Sequence, residues 1–461
     1  MIFTDAVFFA FFPLAFGVYW WLGDNQSRKV WLLACSVMFY SAWDWRFLGL
    51  VLIEIVNAYT VTRLLDERAE RWRRPIIVVG IAISLSLLGF FKYYNFFADS
   101  LARIAPLNLA LRGIVLPIGI SFYTFHSMSY MIDTYRRRVV PTRSFVDVAL
   151  YVMFFPQLVA GPIVRATDMF PQLREARSFA SVDFKYFLTL FLIGYFKKAV
   201  VSDNLSPSVD KFFAHPASFG GGDAALAVLF YAVQIYCDFS GYTDMAIAIA
   251  GMLGYRLKAN FDHPYLAPNL TEFWRRWHMS LSFWLRDYLY VPLGGNRGGL
   301  LFQARNILIT MLLGGLWHGA SWTFVVWGAL HGAGLVVNRL WHVLRQRGAE
   351  TDARYSISGN VLTFLFVCFA WIFFRAPDFS SAAAVVARFA VPTLPVIVAW
   401  QWAVPLLLAL AAVHVFTKRV DLKTALAATD DMVFACGYGA AAALVLPFVN
   451  IAVKPFIYFQ F

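Results

Sequence analysis

The chain has 461 residues, of which 60% are hydrophobic, 18% aromatic and only 14% charged, with a mean hydropathy of +0.62. That leaves too little polar surface to cover a water-soluble globule and predicts a polytopic, all-α integral membrane protein. The formal net charge of +12 then reads as basic loops beside a bilayer, not as a nucleic-acid surface.

The first apolar run, Ala6 to Gly23, has no basic leader and no clear small-residue cleavage site, so it reads as a retained span. Further spans are predicted at 30–45, 47–62, 75–97, 114–132, 184–201, 223–252, 303–317, 321–341, 358–376, 393–415 and 433–455, bracketing the ~20 residues one crossing needs. Arginines cluster at Arg63, Arg68, Arg71, Arg73 and Arg74, and again two spans later at Arg136, Arg137, Arg138 and Arg143. Their parity puts both loops in the cytoplasm and the N-terminus outside.

Residues 146–164 are apolar but are followed by Arg165, Arg174 and Arg177, so one crossing cannot serve both flanks. Pro156, Gly161 and Pro162 interrupt the stretch, which reads as a broken helix entering and leaving on the cytoplasmic side. A second such segment is expected at 264–300, broken by Pro264, Pro268, Pro292 and the run GGNRGG. Cys35, Cys237, Cys368 and Cys436 sit singly in apolar runs and read as small core residues. No His/Cys metal-ligand spacing, phosphate-binding glycine loop or nucleophile-elbow serine occurs in the sequence, and no repeat or low-complexity linker divides it. The expectation is one domain over 1–461 with no permanently bound cofactor or metal.

The stretch from Asp238 to His331 crowds Asp, Arg, Asn and His between apolar helices. Ionisable groups near a bilayer core are costly unless they face a cavity or a partner, so this clustering points to a site. His318 follows a long apolar span between Trp317 and Gly319, where a neutral imidazole could take a proton from a hydroxyl. A histidine bonded to a backbone carbonyl is the competing structural role. Asp238 and Asp244 flank Ser240 and Gly241, and six residues place them about 240° apart on a regular helix, so a break at Gly241 is needed before both can face one cavity. His331, 13 residues beyond His318, would point elsewhere on a continuous helix. Arg286, Asp287, Asn296 and Arg297 could meet a ligand's phosphates near the cytoplasmic face, since guanidinium groups bind phosphate in bidentate fashion; salt-bridged loop residues are the alternative.

Six motifs in order carry a resemblance: LPIGISFYTFHSMSYMIDTY (116–135), FFPQLVAGPIVR (154–165), GYFKKAVVSDNL (194–205), QIYCDFSGYTDMAI (234–247), FWRRWHMSLSFWLRDYLYVPLGGNRGG (273–299) and LLGGLWHGASWT (312–323). Together with the N-terminal MIFTDAVFFAFFPLAFGVYW, they resemble the membrane-bound O-acyltransferase family, and within it the bacterial alginate O-acetyltransferase branch. The resemblance covers about 116–332 and implies about 11–13 membrane helices with re-entrant helices around a central tunnel. It makes His318 the catalytic histidine, matches His278 to a second functional histidine, and adds Asp203, which lies at a predicted span end where a helix cap is the ordinary role. It suggests that Asp238, Ser240, Asp244 and Trp317 line the tunnel, with a hydrogen-bonded interhelical contact as the equal alternative for the aspartates, and the phosphates that Arg286, Asn296 and Arg297 could meet would then be the donor's. The activity it implies is O-acetylation of an exported, alginate-like polysaccharide. Acetyl-CoA would be the cytoplasmic donor, a periplasmic SGNH-type acetyltransferase the partner, and the bacterial inner membrane the location. The same fold acylating peptidoglycan, cellulose or teichoic acid, a transporter without chemistry, and an anchor for a secretion complex are the competing readings.

Overall fold

The computed structural model describes residues 1–105, 113–344, 356–389, 391, 393, 403–449 and 457. Every regular element among them is helical. Six helical stretches of the described residues are long and apolar enough to cross a membrane: Asn25–Glu67, Glu70–Ala102, Gly221–Met252, Gly299–His318, Ile357–Arg375 and Asp431–Phe448. Shorter apolar helices lie at Ala6–Trp21, Phe379–Phe389 and Leu407–Thr417. The protein is therefore an all-α, multi-pass membrane protein. Parts of the spans expected at 393–415 and 433–455 fall outside the described residues.

The backbone packs as two compact units, Met1–Phe191 with Tyr242–Lys258, and Leu192–Gly241 with Ala259–Phe461. The first unit begins with α1 (Ala6–Trp21), α2 (Asn25–Asp44) and α3 (Leu48–Glu67). Asp24 caps α2 by accepting from the Ser27 amide at 2.8 Å, satisfying one of the donors a helix start leaves open. Next come α4 (Glu70–Leu88), a π-helical stretch at Gly89–Tyr93, α5 (Tyr94–Ala102) and α6 (Ile120–Tyr135). In this unit α3, α4 and α6 enclose Glu54, whose carboxylate accepts from Ser84 Oγ at 2.8 Å. Asn57 donates to the Gly80 carbonyl at 2.9 Å. Side-chain hydrogen bonds between helices replace the water these polar groups would otherwise need.

The segment predicted to be broken is broken. It forms α7 (Phe145–Met153), then α8 (Phe155–Leu158), which places Pro156 in its first turn where the missing amide costs least, and after a loop α9 (Ala166–Arg174). A buried ion pair, Lys29 Nζ to Asp147 Oδ1 at 2.7 Å, ties α7 to α2.

The next helix, α10 (Phe184–Tyr195), continues through a π-helical stretch at Phe196–Ser202 into α11 (Asp203–Ala214). Asp203 thus lies inside a continuous helical run, which corrects its reading as a cap. Then α12 (Gly221–Met252) runs 32 residues unbroken, and Gly241 is no hinge. A Cβ there would lie 2.6 Å from the Gly194 carbonyl oxygen, so this glycine admits a neighbouring backbone instead.

In the second unit follow α13 (Leu270–Arg276), α14 (Met279–Leu285), a π-helical stretch at Arg286–Tyr290, α15 (Gly299–His318) and α16 (Trp322–Leu344). The chain continues with α17 (Ile357–Arg375), α18 (Phe379–Phe389), α19 (Ala403–Thr417), α20 (Leu422–Ala427) and α21 (Asp431–Val445). The α15–α16 hairpin packs backbone against backbone. A Cβ on Gly315 would sit 2.3 Å from the Phe324 oxygen, and one on Gly328 2.3 Å from the Met311 oxygen, so two glycines let the backbones approach. Cys35, Cys237 and Cys368 are buried as expected, but Cys436 is exposed. It lies on α21, whose apolar window has no buried residues, so that helix turns its side chains outward.

Candidate active site

The second unit gathers three histidines from two broken helices. Asn269 caps α13 by accepting from the Glu272 amide at 2.9 Å, so that this short helix begins at a fixed point and ends at Trp277. His278 then takes a left-handed conformation (φ 44°, ψ 53°) that turns the chain sharply into α14. The other break follows His318, the last residue of α15. Gly319 is extended there, and a Cβ on it would lie 2.1 Å from the Phe324 ring. The WHG spacing is therefore a packing requirement as well as a motif.

Around these breaks the side chains form an aromatic enclosure. His278 lies 5.9 Å from Trp317 between ring centres and 4.6 Å from Phe239. His318 is 5.0 Å from Trp317, 5.0 Å from Trp327 and 5.2 Å from Phe374. His331 is 4.8 Å from Trp327 and 5.3 Å from Trp274. All three imidazoles are buried, with His318 at 4% exposure and the others at 0%. His331 thus belongs to the cluster. The expectation that it points elsewhere assumed a continuous helix, and the break at 319–321 removes that premise.

Hydrogen bonds fix how two of these rings carry their protons. The Trp274 indole N–H donates to His331 Nδ1 at 3.3 Å. Because an indole can only donate, the proton of His331 sits on Nε2. His278 is the opposite case. Asn260 Oδ1 accepts from the Ser280 amide at 3.0 Å and lies 3.3 Å from His278 Nδ1, so Nδ1 holds the proton. His278 lies outside the spanning helices, and burial pushes its pKa down to about 3, which keeps the ring neutral. Its Nε2 therefore bears a lone pair, and that atom has no hydrogen-bond partner among the described residues.

The acidic candidates fall elsewhere. Asp203 and Asp238 both meet the Lys198 ammonium, each at 2.7 Å, and Asp238 Oδ2 also accepts from the Ile457 amide at 2.8 Å. This buried triad joins the α10–α11 run to α12. Ser240 is buried, and its hydroxyl has no partner among the described residues. Asp244 is half-buried on the unbroken α12, six residues and so about 240° round the helix from Asp238.

Arg286 pairs with Asp287 at 2.6 Å and stacks over Phe283. Asn296 accepts from the Tyr290 hydroxyl at 2.7 Å, while Arg297 is exposed on the same loop. Behind them, Asn306 and Gln303 donate to the Gly295 and Asn296 carbonyls at 3.0 and 2.8 Å. The loop is thus held by α15 with its polar side chains outward.

Lys198, Asn260, Trp274 and Trp327 were not singled out from the sequence. Trp327 and His331 stand four apart on α16, a spacing that put both on one helical face. Nothing local marks Asn260, whose partners are 18 and 20 residues away.

A helical membrane protein that closes aromatic rings around buried imidazoles is suited to moving protons away from water. Comparison with known proteins gives this class a name. Residues 40–377 match the model of the membrane-bound O-acyltransferase family. The probable alginate O-acetylase AlgI of Azotobacter vinelandii is 42% identical over 395 residues, covering 83% of this chain and 76% of that protein. The peptidoglycan O-acetyltransferase of Helicobacter pylori is 36% identical, covering 83% and 78%. The teichoic acid D-alanyltransferase of Streptococcus thermophilus is 26% identical, covering 66% and 71%. The chain belongs to the membrane-bound O-acyltransferase family and is an acyltransferase.

Proposed function

We propose that this enzyme takes an acetyl group from cytoplasmic acetyl-CoA and passes it across a bacterial inner membrane for O-acetylation of an exported, alginate-like polysaccharide, together with a periplasmic SGNH-type acetyltransferase. The observation that carries the reading is the enclosure of His318 by Trp317, Trp327 and Phe374 at a helix break, beside His278. The names of the relatives support the acetyl group and the polymer. Peptidoglycan is the second acceptor, because the relative with that name covers the same 83% of this chain.

In the proposed step, the acceptor hydroxyl gives its proton to His318 while its oxygen attacks the thioester carbonyl. The carbon–sulfur bond breaks, and the proton passes to the departing sulfur. The buried surroundings keep competing water away from the reacting groups. Arg286, Asn296 and Arg297 would hold the donor's phosphates, and the buried Asp203 and Asp238 would keep α11 and α12 in register through Lys198.

The test uses purified enzyme with its partner and labelled acetyl-CoA. His318→Ala should lower kcat by about 100- to 10,000-fold, whereas Arg286→Gln with Arg297→Gln should raise KM more than it lowers kcat, because contacts remote from the thioester bind ground and transition states alike. Wild-type rates from correctly folded His318→Ala would remove that residue from the mechanism. A wild-type system that never consumes a thioester would favour a transporter instead.

A further inference from the structure

We infer that Asn260 is a positioning residue for His278, setting its tautomer so that Nε2 presents a lone pair to a hydrogen-bond donor on the bound substrate. The inference rests on the reading of the histidine cluster as the acyl-transfer site.

Asn260 lies in the loop between α12 and α13 and is 1% exposed. It serves the start of α14 from a distance, since its backbone oxygen accepts from the Met279 amide at 2.9 Å and its Oδ1 from the Ser280 amide at 3.0 Å. Those are amides that a helix start leaves open, and His278, standing at the cap position, makes no side-chain cap. One residue thus pins the helix start and the ring in front of it. The Ser280 amide also decides which end of the Asn260 side chain faces His278, because an amide N–H must meet oxygen and not the NH2 group. With oxygen facing Nδ1, the imidazole can hydrogen-bond only by donating from Nδ1. Phe239 and Trp317 pack against the ring and restrict its rotation, which leaves Nε2 as the atom open to a ligand. The complementary group is an O–H or N–H, as a sugar hydroxyl or a pantetheine amide would offer.

The experiment labels histidine with 15N in the full-length protein in detergent and assigns the His278 signals by their loss in His278→Gln. The wild-type spectrum should show a protonated Nδ1 and a bare Nε2; a protonated Nε2 would overturn the inference without any further variant. Asn260→Leu keeps the side-chain shape but offers no acceptor. It should lose the Nδ1–H signature and lower kcat by about 100-fold with little change in KM, as expected for a reacting ring held in the wrong tautomer. Asn260→Asp restores an acceptor oxygen and should recover the signature and most of kcat. Should Asn260→Leu retain the wild-type kcat while His278→Gln loses it, the positioning role is wrong and the site stands. Should His278→Gln and His318→Ala both turn over normally, the site reading itself fails.

Discussion

Lys198 stands between two carboxylates at 2.7 Å each while only 2% of its side chain is exposed. Replacing one partner of such a buried set costs more than the set contributes, because the remaining charges stay desolvated. Lys198→Met should therefore destabilise the fold by about 3–5 kcal/mol. Adding Asp203→Asn and Asp238→Asn should restore much of the loss. Thermal unfolding of the single and triple variants in one detergent checks this, and a triple variant no better than the single one would reject the account. The sequence pointed to both aspartates but not to the ammonium between them. A lysine five residues before an aspartate is about 140° away on a regular helix and gives no sign of a pair, and only the packing of α12 brings Asp238 to the same atom.

At the scale of elements, the breaks were legible and their purposes were not. Proline and glycine announced the interruption between α7 and α8 and the irregular course from 264 to 300, since both residues leave strong local marks. Gly241 carried the same mark for another reason, close approach of the Gly194 oxygen. The Gly315 and Gly328 contacts were equally hidden, because a small residue in an apolar run gives no sign of which helix it meets. Gly328→Val should push α16 off the Met311 carbonyl and cost at least about 1–3 kcal/mol by overpacking. The loss of activity should follow the loss of folded protein. A variant that melts like wild type would show that the hairpin yields without cost. His331 teaches the complementary lesson: angular bookkeeping along a helix holds only while the helix continues.

For the molecule as a whole, composition and the spacing of apolar runs were enough for an all-α membrane protein, because bilayer thickness constrains span length more tightly than any single contact does. The arrangement of side chains within it depended on long-range packing that periodicity does not encode. Orientation remains a separate question that the arginine clusters address. Cysteines placed at Ala69 and Arg138, both exposed, should resist an impermeant thiol reagent in intact cells and react once the membrane is opened. Labelling from outside at either position would reverse the orientation and move the proposed entry of the donor with it.

The ring-lined walls around His278, His318 and His331 have one more consequence. A thioester carbonyl is open to attack by any oxygen nucleophile, and the commonest one in a cell is water. An enclosure whose imidazoles are at most 4% exposed, with indole and phenyl rings about 5 Å from them, leaves bulk solvent little room beside those imidazoles. Under the proposed mechanism, packing that looks like structural filler would set the partition between productive transfer and wasteful hydrolysis. The fraction of donor that ends on product would then depend on the surrounding aromatic rings as much as on the proposed base.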